Sequence, residues 1–155
     1  TEPDVRARLI NTGLASIRFY DFPLPMHKNT WAASNAAACA NDQGKFWAMH
    51  DQLFYAQDLW NGEATSNPGK KMKAFAKELG LDEAKFETCF DSQVLYPRIK
   101  ANQGEAERLG VDQTPTFIIG GQRYPGNVPY DQLKKAVDAE LAKMPKVDSA
   151  RKGAK

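Results

Sequence analysis

The change of hydrophobic period near residue 116 constrains this chain most. From Thr30 to Leu109 the apolar residues recur at helical spacing. Thr116-Phe117-Ile118-Ile119 then forms a β-branched apolar run, followed by Gly120-Gly121 and Gln122-Arg123-Tyr124. Two glycines between such runs are a two-residue hairpin signal, so two antiparallel strands are expected there. Upstream, Ala15 to Phe22 alternates apolar and polar residues and is broken by Pro23 and Pro25, which predicts one more strand. A lone strand beside an isolated hairpin does not make a stable sheet, so the pattern asks for a further partner strand.

The rest reads as helix. Pro3 to Leu9 looks like the tail of a helix, stopped by Asn11-Thr12-Gly13. Thr30 to Gln57 predicts two packed helices. The first is alanine-rich, and the second places Phe46, Trp47, His50, Leu53 and Phe54 on one face. Met72, Phe75, Ala76 and Leu79 mark a third helix closed by Gly80, and Asp82 to Asp91 a fourth. Val94 to Leu109 reads as a fifth, burying Ile99, Ala106 and Leu109 and ending at Gly110. Pro129 to Lys143 closes the chain with Leu133, Val137 and Leu141 at helical spacing.

With 155 residues, 42% of them hydrophobic, the chain has the size of one domain able to bury its own core. The 21 basic and 19 acidic residues are spread along it, which argues against a nucleic-acid partner. The one charge run, Lys143, Lys146, Arg151, Lys152 and Lys155, reads as a solvated end. No stretch approaches the roughly 18 apolar residues of a membrane span, so the chain is not expected to be membrane-embedded. Thr1 to Arg8 is charged where a signal peptide is apolar, as in a mature or trimmed chain.

Three segments, in this order and spacing, resemble the DsbA-like branch of the thioredoxin superfamily. They are Phe22-Pro23-Leu24; Cys39-Ala40-Asn41-Asp42-Gln43-Gly44-Lys45-Phe46-Trp47 with His50-Asp51-Gln52-Leu53-Phe54; and Gly110-Val111-Asp112-Gln113-Thr114-Pro115-Thr116-Phe117. The resemblance implies an α/β, thioredoxin-like fold with an inserted helical subdomain. It also implies a single domain over 1–145, the insertion at about 30–108, and a disordered basic tail at 146–155. Residues 3 onward match from the middle of the family's redox helix. The first strand and the C-x-x-C are expected upstream of Thr1, because the sequence contains no C-x-x-C. A truncated chain is expected rather than an evolved deletion, since deleting a central strand strands its neighbours' backbone groups.

The activity implied is thiol-disulfide exchange with exported, cysteine-containing proteins or peptides. The resemblance further implies a bacterial periplasmic or other extracytoplasmic setting, a membrane redox partner and no cofactor. Two alternatives stay open: a non-catalytic module that grips extended peptides, and a DsbA-like isomerase or transferase using serine or bound glutathione.

Catalysis in this class needs a low-pKa thiolate at a helix N-terminus. Cys39 and Cys89 sit inside predicted helices, so no catalytic residue is expected in this chain. Read from their surroundings they are buried thiols; the resemblance implies instead that they pair as a structural disulfide of the helical subdomain. A metal set of Cys39, Cys89, His27 and His50 lacks short-loop zinc spacing, so no metal site is expected. His50 reads as a hydrogen-bonded core histidine, and His27 lies in a proline loop. Trp31, Phe46, Trp47 and Phe54 read as core. The resemblance assigns substrate binding to Gln113, Thr114 and Pro115, with the Thr114-Pro115 peptide cis, against the alternative of an ordinary trans proline at a strand start.

Overall fold

The computed structural model describes residues 1–145. The expected basic tail at 146–155 lies outside them. The chain divides into two units, Tyr20–Asp112 and Thr1–Phe19 with the described part of Gln113–Lys155.

In the second of these, the hairpin unit, α1 (Glu2–Val5) starts with Pro3 in its first turn and runs on as a π-helical stretch, Arg6–Ile10. Gly13 then reverses the chain at φ 76°. The strands β1 (Thr116–Ile119) and β2 (Gln122–Pro125) pair antiparallel, with Ile119 opposite Gln122 and Phe117 opposite Tyr124. Gly120 and Gly121 both take positive φ, 58° and 81°, as a type I′ turn demands, so this hairpin follows directly from its glycine pair. Phe117, Ile119 and Tyr124 pack on a core of Val5, Leu9, Val128 and Leu133, the last contributed by α7 (Tyr130–Leu141). The Arg8 guanidinium lies 4.1 Å above the Tyr130 ring, tying the first helical segment to α7 by a cation–π contact.

The strand predicted at Ala15 to Phe22 is not formed. A strand exists only through a ladder, and among the described residues β1 and β2 pair solely with each other. Phe19 and Tyr20 accordingly remain 41% and 48% exposed.

The helical unit is built around α2 (Thr30–Asn41), against which α3 (Phe46–Tyr55), α4 (Gly69–Glu78), α5 (Glu83–Ser92) and α6 (Tyr96–Arg108) pack. The alanines of α2 favour helix and leave its surface thin, so several helices approach one axis. Ala33, Ala36, Ala37 and Ala40 share a core with Met49, Leu53, Met72, Phe75 and Phe86. Asp82 caps α5 by accepting from the Lys85 amide at 3.0 Å, and that bond holds its carboxyl below the ordinary range. The Gln43 side chain reads the same cap, accepting from Asp82 N at 2.8 Å.

Three burial expectations are corrected here. Phe54 is 66% exposed, because α3 buries Met49, His50 and Leu53 and one further residue turns about 100° away. Trp31, Phe46 and Trp47 are only half-buried. α6 begins at Tyr96, with Pro97 in its first turn, so Val94 lies outside it; Leu109 ends past its last turn, 39% exposed.

Asp21 is buried at 7% exposure and accepts a hydrogen bond from the Asn102 amide at 3.2 Å, while Gln103 donates to the Pro23 carbonyl at 3.2 Å. Two neighbouring residues of α6 thereby clamp the Phe22-Pro23-Leu24 segment. Burial lifts the Asp21 carboxyl above its usual range, partly offset by hydrogen bonds from Ser34 and Asn102 and by the charge of Arg98. A raised folded-state pKa stabilises the fold below the unfolded value and ceases to do so as pH climbs through the folded one. Asp21→Asn keeps an acceptor and removes the charge, so in urea titrations it should gain on the parent protein as pH rises above the ordinary carboxylate range. A stability gap independent of pH would count against this. Asp21→Ala, which strips the Asn102 amide of its acceptor, should cost about 1–3 kcal/mol.

Candidate functional site

The loop entering β1 has its two ends pinned and its middle open. The Thr116 hydroxyl donates to the Gln113 carbonyl at 2.8 Å, and the Gly126 amide donates to the Pro115 carbonyl at 2.7 Å. Gly126 has φ 80°, a conformation glycine reaches without a steric cost. The Thr114-Pro115 peptide between these pins is cis.

Gln113, Thr114 and Pro115 are all exposed. Among the described residues, none hydrogen-bonds the Thr114 N–H or carbonyl. Thr114 thus carries, on an exposed residue, a main-chain donor and a main-chain acceptor of the kind that strand-type pairing uses.

Cys39 and Cys89 lie elsewhere, in the helical unit, where their sulfurs are bonded at 2.03 Å and link α2 to α5 across 50 positions. Cys39 is in the last turn of α2, and Cys89 is past the middle of α5, so neither occupies a helix N-terminus. With both sulfurs in the disulfide, they supply neither a thiolate nucleophile nor metal ligands. His50 is buried, with Nδ1 2.9 Å from Asp51 Oδ1 and its ring against Trp47 and Phe54. His27 is exposed.

Two functional candidates escaped the sequence reading. Gly126, which secures the Pro115 carbonyl, gives no signal beyond being a glycine after a strand. Asn35, 1% exposed and one helical turn from Cys39, does give one: it is an amide set inside the alanine-rich run of α2.

The family model described as Thioredoxin matches residues 1–139. The chain belongs to the thioredoxin family. Its relatives and structural neighbours place it with the DsbA-like members. A thioredoxin-like oxidoreductase from Silicibacter pomeroyi DSS-3 superposes with a TM-score of 0.64 at 26% identity, over 80% of this chain and 67% of that one. The probable disulfide bond formation protein D of Bacillus anthracis is 25% identical over 142 residues, covering 91% of this chain and 64% of that protein. A Na(+)/H(+) antiporter, NhaA 1 of Salinispora arenicola, is 33% identical over 144 residues, covering 91% of this chain. This thioredoxin-family chain spans only 21% of that antiporter's length. Among the described residues, no helix is long and apolar enough to cross a membrane.

Proposed function

We propose that this chain is part of a thiol-disulfide oxidoreductase acting on exported proteins, in which Gln113, Thr114 and cis-Pro115 hold an extended, cysteine-bearing substrate segment. The observation that carries the reading is the open Thr114 backbone pair, held out between two pinned carbonyls in a thioredoxin-family chain. Main-chain pairing suits an enzyme that must accept many substrates with little regard to sequence. Fold alone does not assign chemistry, and the chemistry itself belongs to a C-x-x-C that this sequence lacks.

Periplasmic or other extracytoplasmic placement is part of the proposal. It is supported by the Cys39–Cys89 disulfide, since such bonds persist in oxidising compartments, and by the named role of the Bacillus relative. A membrane-bound redox partner completes it.

The chain by itself is expected to reduce insulin no faster than the dithiothreitol background. It is nonetheless expected to bind extended cysteine-containing peptides, with amide chemical shifts moving at Thr114 and its neighbours. Thr114→Pro, which deletes the donor, should weaken that binding about tenfold. A catalysed insulin rate, or peptide binding indifferent to Thr114→Pro, would overturn the assignment. The absence of a C-x-x-C favours one second reading, a peptide-binding module without redox chemistry. Peptide binding by the whole natural protein without disulfide exchange selects it.

A further inference from the structure

The two halves of the Cys39–Cys89 disulfide sit in unlike surroundings. Cys39 is 1% exposed beneath the packed face of α2, whereas Cys89 is half-buried and lines an open groove along α5 with Ala84, Lys85, Thr88, Ser92 and Val94. Thr88 and Ser92 turn their hydroxyls back to the carbonyls of Ala84 and Cys89, at 2.9 and 3.0 Å. Lys85 is the charged residue of the groove, and its ammonium lies 3.5 Å from the Asp82 carboxylate. An attacking sulfur anion thus meets an open groove with an ion-paired lysine on the approach to Cys89 and packed side chains on the approach to Cys39.

Asn35 supplies a second, independent sign. Its amide nitrogen donates to the Phe90 carbonyl at 2.9 Å, which fixes the orientation of the group. Its Oδ1, buried with the rest of the residue, faces Cys39 Sγ at 3.9 Å. A disulfide sulfur carries no proton, so in the oxidised protein this acceptor lacks a donor from Cys39. The reduced thiol S–H supplies one.

We infer that Cys39–Cys89 is a second, reversible thiol-exchange site, entered at Cys89 from the α5 groove, with Asn35 as the acceptor for the reduced Cys39 thiol and a small dithiol or a reduced dithiol protein as reductant. A thiolate of the dithiol attacks Cys89 Sγ. The S–S bond breaks, its electron pair leaves with Cys39 Sγ, and a mixed disulfide remains on Cys89. Cys39 takes a proton from solvent; its place in the last turn of α2, among outward carbonyl dipoles, disfavours a lasting thiolate. The dithiol's second sulfur, as thiolate, then attacks the dithiol sulfur of the mixed disulfide and releases Cys89, which is protonated in turn. The protein disulfide has gained two electrons and two protons, and the dithiol has become a disulfide. Cys39 is a poor leaving group there, so exchange is slow beside that of a helix-N-terminal thiolate.

The first experiment needs no variant: the oxidised chain is held with excess reduced glutathione, quenched in acid, and its adduct mapped by tandem mass spectrometry. The adduct is expected on Cys89. An adduct on Cys39, or none until denaturant unfolds the chain, overturns the inference. The second measures the disulfide–dithiol equilibrium in a dithiothreitol redox buffer for Asn35→Ala and for Asn35→Leu, which fills the site. Loss of the Phe90 bond affects both redox states alike, so the difference reports Oδ1. Each variant that keeps native circular dichroism should shift the equilibrium toward the disulfide about five-fold. An unchanged equilibrium overturns the role of Asn35. Neither readout depends on peptide binding at Thr114, so this inference and the proposed function fail separately.

Discussion

Replacing Cys39 and Cys89 together by alanine is expected to lower the unfolding free energy by about 4 kcal/mol. The link joins residues 50 apart, and freeing a loop of that size restores conformational entropy to the unfolded chain on this scale. Little of the loss should come from packing, because Cys39 lies on a face already lined by Ala33, Ala36, Ala37 and Ala40, where another alanine fits. A domain of this kind holds only about 5–15 kcal/mol in total, so the variant should unfold at a clearly lower urea concentration. The m-value should rise as well, since an unlinked unfolded chain exposes more surface. A loss below about 1 kcal/mol would show that the helical unit is held by its core alone. Such a result would also remove any large structural consequence of reducing the bond.

What the sequence made legible was local. Gly120-Gly121 dictates a turn with two positive φ values, and the apolar runs on either side pair in the register that turn imposes. The alanine run of α2 and the glycine stops at Gly80 and Gly110 are equally self-contained, since each depends on a few adjacent residues. Ala15 to Phe22 shows the opposite case. Its alternation is as clear as that of any strand, but a ladder requires a neighbour that no local pattern supplies. Phe54 was misplaced for a related reason: periodicity gives the width of an apolar stripe, and only the partner helices decide which edge of it is covered.

The candidate site divides along the same line. Thr114-Pro115 was visible through its motif, and the paired cysteines through the family they resemble. Asn35, Gly126 and the clamp of Asn102 on Asp21 were not, because each works through a residue distant in sequence: Phe90, Pro115 and Asp21. A buried asparagine in an alanine-rich helix is uncommon enough to be read as a signal, since burying an amide without a partner costs about 1–3 kcal/mol. Its partner is a carbonyl 55 positions away. No local rule reaches that far.

Phe86→Ala is expected to be the most damaging single truncation in the helical unit, at about 3–5 kcal/mol. Phe86 is 0% exposed, lies one turn after the Asp82 cap, and stacks on Phe90 with ring centroids 5.8 Å apart and planes 13° apart. It is the side chain through which α5 enters the core shared with α2 and α4, so its removal leaves a cavity that flanking helices can fill only by shifting. Phe86→Leu should recover most of the loss, and Phe54→Ala, at an exposed position, should stay within about 0.5 kcal/mol of the parent. Thermal and urea unfolding of the three variants settle that order. The same truncation has a second expected effect: because the native groove already admits thiols to Cys89, glutathione adducts should form there at close to the parental rate while the fold is weakened. A rate that climbs in step with the lost stability would mean that thiols reach Cys89 only when α5 opens, against entry through the native groove.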